Sequence, residues 1–136
     1  MNKSKALTAY LAGREPAPFH WATSNCGHFA AGFVALVEGR DPLAGDVMPA
    51  TLHAARRAMR DAGGLEGWVS RALAREPISA SLAQVGDVVL LPVSATDPEA
   101  QAVGLCCGEY AAAVCDDGTL TMHPMGNALA AWRVLP

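Results

Sequence analysis

The sequence predicts an α+β domain in which helices come first and an antiparallel β-meander follows. In roughly the first 75 residues, apolar side chains recur three and four positions apart, which is the spacing of helices packed on a core. From residue 86 onward, short apolar segments are bounded by glycine, aspartate and proline, which is typical of strands joined by tight turns. Neither a repeat nor a linker divides the chain, so residues 1–136 are predicted to form a single domain.

The most regular helical pattern runs from Cys26 to Glu38. Phe29, Phe33 and Val37 lie on one face of this segment, and we expect that face to pack on the sheet. The other predicted helices are a short N-terminal one with Leu7, Tyr10 and Leu11 on its apolar face, one within residues 51–64 with Leu52, Ala55 and Met59 facing inward, and a shorter one over residues 65–74.

Five short segments in the second half are predicted to be strands. Gly108-Glu109 and Asp117-Gly118 carry the sequence signals of tight hairpin turns, so the strands beside them are expected to pair antiparallel. The five segments are residues 86–93, 102–107, 110–115, 119–123 and 130–135.

Composition argues against several classes of partner. The chain has 10 basic and 13 acidic residues, a net charge of -3, and no basic run, so nucleic acid is not an expected partner. No segment approaches the roughly 20 apolar residues of a membrane span, and the N-terminal apolar run is too short for a secretory signal. We therefore expect no membrane insertion.

The four cysteines do not indicate a metal or cofactor site. They show no Cys-x-x-Cys spacing, and Cys106 and Cys107 are adjacent in a predicted strand, so their side chains point to opposite faces. Cys115 can meet only one of them across the predicted hairpin. No metal and no other cofactor is expected.

Cys26 is the candidate nucleophile. A cysteine in the first turn of a helix faces unpaired backbone N–H groups and the positive end of the helix dipole, which both favour the reactive thiolate. A small buried residue is the alternative, because free cysteine is often packed as a hydrophobe.

Three segments support the first reading by resemblance. "SNCGHF", "LAQVGDVVLL" and "AVGLCCG" resemble, in order, the motifs of the NlpC-type cell-wall peptidases. These are papain-like cysteine hydrolases that cut peptidoglycan stem peptides. The resemblance implies an NlpC/papain-like fold with Cys26 at the nucleophile position.

A second resemblance covers nearly the whole chain. "PFHW", "GRDP", "RRAMRDAGGL", "GDVV", "VGLCCG" and "AAWRV" are similar to a family of small phage tail proteins that looks like a shortened relative of those peptidases. It implies a component of a phage tail tip or baseplate, assembled in the host cytoplasm, located in the virion tail and bound to other tail proteins.

Two positions depart from the peptidase pattern. Asn25 stands where the family has an acidic residue before the nucleophile, and Ala102 stands where it has the histidine base. An imidazole base contributes roughly 100- to 10,000-fold to such reactions, so its absence predicts a degenerate enzyme.

The chain has four histidines that are candidates for a substitute base. His20 lies in the loop before the helix and could fold back over Cys26, and His123 could approach only if the sheet order brings its strand close. His28 is about 200° around the helix from Cys26, and His53 is expected to be solvated.

Trp132 has two readings. Beside Arg133 it is the best candidate for a protein–protein contact, because tryptophan and arginine are enriched at binding hot spots. Burial inside the domain is the other.

Three functions follow as hypotheses. The first is a structural or assembly component of a phage tail with a degenerate NlpC-like domain. The second is an active cysteine peptidase or amidase that opens peptidoglycan during DNA entry, with Cys26 and either His20 or His123. The third is a non-catalytic peptidoglycan-binding module.

Overall fold

The computed structural model describes residues 2–13, 26–43, 52–98, 100–114 and 119–135. Within them, four helices precede five strands, which confirms the predicted α+β class. The helices are α1 (Lys3–Ala12), α2 (Cys26–Glu38), α3 (Leu52–Asp61) and α4 (Gly64–Leu73). The strands are β1 (Val88–Pro92), β2 (Gln101–Cys106), β3 (Tyr110–Val114), β4 (Leu120–Pro124) and β5 (Ala130–Trp132).

The strands form one antiparallel sheet in the order β4-β3-β2-β1-β5. The first four strands are a meander, as predicted. The fifth departs from it, because β5 returns across the sheet to pair with β1, where Val88 lies opposite Trp132. The outer strands are therefore β4 and β5.

Each face of the sheet carries its own apolar cluster. One face packs on the helices through alternate residues of the strands, including Val88, Leu90, Val103, Leu105 and Trp132. The opposite face holds Val89, Leu91, Cys106, Ala111, Ala113 and Ala131, with Ile78, Ala83, Met125 and Ala128 packed against them. Burial on both faces explains why these strands read as continuous apolar runs rather than as alternating ones.

Helix α2 is the central helix of the core. Phe29, Phe33 and Val37 are all buried, as predicted, and α2 lies over β2 and β3. The Tyr10 ring of α1 packs against Phe29 and Phe33 at centroid distances of 5.7 and 5.5 Å, and its hydroxyl donates to the Phe29 carbonyl at 2.7 Å. This contact fixes α1 against α2.

The turn between β2 and β3 forms as the sequence predicts. Gly108 has a φ of 113°, a conformation that side chains other than glycine rarely adopt, and the Cys107 N–H donates to the Tyr110 carbonyl across the turn at 2.7 Å. The predicted Asp117-Gly118 turn lies outside the described residues, as do the side chains of Leu52 and Ala55. Met59 is partly buried against the core, as expected.

Trp132 is buried inside the domain. Its side chain is fully enclosed, and its indole N–H donates to the Ser70 hydroxyl at 3.0 Å. Of the two readings of Trp132, burial is therefore the one that holds. In the described part of the chain, no helix has the length and apolarity to cross a membrane.

Candidate functional site

Helix α2 begins at Cys26, as the sequence predicts. The backbone of Cys26 is therefore at the N-terminus of α2, where N–H groups lack intrahelical partners. The side chain of Cys26 lies outside the described part of the structure, as do His20, Asn25, Phe19 and Trp21. The predicted pairing of Cys26 with His20 stays a prediction.

The other end of α2 is fixed by contacts with the C-terminal segment. Glu38 accepts a hydrogen bond from the Leu135 N–H at 2.8 Å, and the adjacent Val134 N–H donates to Asp87, directly before β1. The C-terminal end of α2 is thus at the end of the sheet where β1 begins and β2 ends. Because a 13-residue helix is about 20 Å long, its Cys26 end lies about 20 Å from these contacts.

Ala102 occupies the position that the peptidase resemblance gives to the base. It lies near the start of β2, is buried, and stands directly opposite Leu91 of β1. Directly opposed residues of an antiparallel pair point to the same face, and Leu91 belongs to the cluster on the face away from the helices. The methyl group of Ala102 thus points away from α2, and it can accept no proton.

His123 is distant from the base position. Its strand, β4, is separated from β2 by β3, which is roughly 10 Å at the usual strand spacing. The Thr121 hydroxyl donates to the Ala113 carbonyl at 3.2 Å, so its oxygen accepts from His123 Nε2 at 2.9 Å. The sheet order therefore does not place the strand of His123 next to β2.

The remaining described histidines lie on helices. His28 is two residues along α2 from Cys26, and partial burial lowers its pKa, with Asp41 acting in the opposite direction. His53 is exposed on α3, as expected for a solvated residue. Neither position corresponds to the base of the peptidase pattern.

The cysteines of the β2–β3 region face in opposite directions, as predicted. Cys106 is buried in the cluster away from the helices, and Cys107 packs against the helical core. Burial raises the pKa of the Cys107 thiol, which disfavours its nucleophilic form. Among the described residues no group of three or more histidine, cysteine or acidic side chains could hold a metal ion.

The most elaborate polar cluster surrounds Asp87, which sequence reasoning treated only as the start of a strand. Asp87 is fully buried and accepts from Lys3 Nζ at 2.6 Å and from Arg133 Nε at 2.9 Å. The backbone N–H groups of Gln84 and Val134 complete its hydrogen bonds. Every carboxylate oxygen is occupied, so this cluster joins α1, β1 and the C-terminal segment rather than offering a free acid.

A third ion pair, between Arg75 and Glu38, holds the same segment. Arg75 donates to both oxygens of Glu38, at 2.6 and 2.7 Å, and to the Arg133 carbonyl at 2.8 Å. Burial raises the pKa of Glu38, but the hydrogen bonds from Arg75 and Leu135 outweigh it and hold this pKa below its ordinary value. The bonds to Glu38 raise the pKa of Arg75. We call the Asp87 and Glu38 clusters together the C-terminal clasp.

The Gly86-Asp87 dipeptide is the one local sequence feature that indicates the C-terminal clasp. Gly86 has a φ of 91°, and the side chain of Lys3 packs where a Cβ would stand. A glycine with positive φ followed by a buried aspartate indicates a turn with a structural role. The partners of that acid lie 84 and 46 residues away, which no local pattern reveals.

These features define a small α+β domain in which a cysteine opens the central helix, residue 102 of β2 is a buried alanine and the ion pairs of the described residues are structural. A family model described as a domain of unknown function (DUF6950) matches residues 1–134, so the chain belongs to that family. A comparison with curated proteins gave no match.

Proposed function

We propose that the protein is a non-catalytic structural component of a phage tail tip or baseplate, built on a degenerate NlpC-like domain. The observation that carries the loss of catalysis is Ala102, a buried methyl group at the position of the base. The assignment to a tail rests on the six sequence blocks that resemble small phage tail proteins.

The order of elements supports the NlpC-like part of the proposal. A helix that begins with Cys26 packs on an antiparallel sheet, over β2 and β3. Position 102 carries alanine and lies on the face of the sheet away from α2, so the thiol of Cys26 has no proton acceptor there.

Loss of catalysis is tested with purified peptidoglycan. The intact protein and its Cys26→Ala variant are each incubated with cell walls, and soluble stem-peptide fragments are measured, with an active cell-wall peptidase as the positive control. We expect the intact protein to release no more stem-peptide fragments than the Cys26→Ala variant. Release that disappears in Cys26→Ala would make the peptidase hypothesis correct.

Assembly into the virion is tested by peptide mapping of purified tails from the phage whose genome encodes this chain. We expect its peptides at a fixed ratio to the other tail proteins. Tails that lack the chain would exclude the structural role. Co-sedimentation of the purified protein with cell walls distinguishes the third hypothesis, because an assembly protein stays in the supernatant and a peptidoglycan-binding module does not.

A further inference from the structure

The outer strand β4 leaves an apolar strip uncovered. Tyr110, Leu120 and Met122 are 51%, 36% and 52% exposed. Leu120 and Met122 stand opposite Val114 and Ala112, so their side chains share the face that the helices cover elsewhere in the sheet. We call β4 together with Tyr110 the β4 edge.

The backbone of β4 also has unused hydrogen-bonding capacity. The Met125 N–H donates to the Glu109 carbonyl, which fixes the alternation of the β3–β4 ladder so that Thr121 and His123 bond to β3. The N–H and C=O groups of Leu120 and Met122 therefore point outward. They have no hydrogen-bond partner in the described part of the chain.

The sequence of β4 does little to prevent pairing with another strand. Natural edge strands are protected by charged side chains, especially lysine, by proline or by a covering segment. The segment Leu120–Pro124 carries no lysine, arginine or acidic residue, and its one proline is the last residue of the strand. An open apolar edge of this kind accepts an added strand from a binding partner.

Charge around the edge indicates the chemistry of that partner. Residues 109–124 include three acidic residues, Glu109, Asp116 and Asp117, and neither lysine nor arginine. A strand that approaches this side enters a negative field.

We propose that the β4 edge binds an extended segment of another protein, in which apolar residues alternate with lysine or arginine, as a sixth strand of the sheet. The outward groups of Leu120 and Met122 supply the backbone hydrogen bonds. The apolar side chains of the segment lie beside Leu120 and Met122, and its basic side chains are attracted by the net negative charge of residues 109–124. A second copy of β4 is a less suitable partner, because the two acidic hairpins, which have neither lysine nor arginine, would repel each other.

The probe is an acetylated and amidated nine-residue peptide of alternating lysine and valine, titrated into the ¹⁵N-labelled intact protein. Two control peptides, its twins, differ from it by substitution. The acidic twin has glutamate in place of each lysine, and the other has proline in place of the central valine. We expect chemical-shift changes at the Leu120 and Met122 amides, with the basic peptide binding at least about tenfold more tightly than either twin at low salt. Its advantage over the acidic twin should shrink as salt rises. Equal binding of the basic and acidic peptides would overturn the proposal.

Two variants locate the binding. Met122→Pro removes an N–H that points outward, so the internal ladder stays intact while the affinity for the basic peptide falls by about five- to tenfold. The double variant Leu120→Lys with Met122→Lys reduces the net charge of residues 109–124 from -3 to -1, so the preference for the basic over the acidic peptide should fall. Leu36→Lys, on an exposed position of α2, adds a positive charge elsewhere and should leave the preference unchanged.

Circular dichroism checks that each variant is folded before binding is measured. If the double variant keeps the wild-type preference, the charge argument is wrong. If sedimentation equilibrium shows wild-type dimers that Met122→Pro abolishes, the occupant of the edge is a second copy, and the proposal is overturned. None of these outcomes depends on the phage-tail assignment, which the tail mapping tests separately.

Discussion

The two edges of the sheet are built in opposite ways. At the β5 edge, Ala130, Ala131 and Trp132 are all buried, and Ile78 exchanges two backbone hydrogen bonds with Ala131 at 2.7 and 3.1 Å. At the β4 edge, Leu120 and Met122 are exposed and their outward backbone groups are unpaired in the described part of the structure. The chain therefore closes one edge with its own segments and leaves the other open.

The C-terminal clasp accounts for part of this difference. Directly after β5, the backbone of residues 133–135 is bound by Lys3, Glu38, Arg75 and Asp87. These charged groups come from α1, α2, the segment after α4 and the start of β1, so four distant parts of the chain hold the closed edge. Among the residues that the structure describes, the open edge is held by its pairing with β3. We therefore expect substitutions near β5 to change folding stability and substitutions on β4 to change association.

The largest expected effect is at Trp132. Trp132→Ala should lower the free energy of unfolding by about 3–5 kcal/mol, because it removes a fully buried ring and leaves the Ser70 hydroxyl without its indole donor. Urea denaturation followed by far-ultraviolet circular dichroism measures the change. Trp132→Phe keeps most of the packing and should cost much less. A loss below about 1 kcal/mol in Trp132→Ala would show that the β5 edge is not the closed one.

Asp87→Ala should have the next largest effect. The substitution leaves Lys3, Arg133 and two backbone N–H groups without their acceptor. Removing one partner of a buried ion pair typically costs about 3–5 kcal/mol, but Arg133 is one-third exposed, so we expect about 2–4 kcal/mol. Glu76→Ala, at an exposed position, is the matched control and should be nearly neutral. Equal denaturation midpoints for the two variants would contradict a stabilising clasp.

Local patterns in the sequence predicted most of the fold. The 3–4 spacing of Phe29, Phe33 and Val37 located α2, and glycine at position 108 located the β2–β3 turn. The return of β5 to β1 was not predicted, because strand order depends on contacts between residues far apart in sequence. The same reason explains why the partners of Asp87 were missed.

The candidate site was predictable only at the level of single residues. That Cys26 opens a helix follows from the local pattern and is confirmed. Which face Ala102 occupies, and how far His123 is from β2, depends on register and sheet order. Long-range geometry thus decides whether residues of suitable chemistry can meet, and a periodic pattern contains little information about it.

A smaller effect is expected at Glu38, which distinguishes the two parts of the clasp. Glu38→Gln should cost about 1–2 kcal/mol at pH 7, because the charge-assisted bonds from Arg75 are weakened. The folded-state pKa of Glu38 lies below its ordinary 4.5, so its contribution is present above that pH and is lost as pH falls through the folded-state value. Denaturation curves recorded between pH 7 and pH 3 should converge for the wild type and the variant in acid. A gap that does not depend on pH would exclude the ion pair as the cause.

The smallest effect on stability is expected at the open edge. Met122→Lys should change the free energy of unfolding by less than about 0.5 kcal/mol, because the side chain is half exposed and its backbone groups point outward. The same substitution places a charge on an edge strand that has none, which hinders pairing with another strand. Titration with the alternating lysine–valine peptide should therefore show weaker binding than to the wild type, while Leu36→Lys changes the net charge equally and leaves the affinity for the peptide unaltered. A stability loss above about 1 kcal/mol in Met122→Lys would show that another part of the chain covers β4, and the contrast between the two edges would then be wrong.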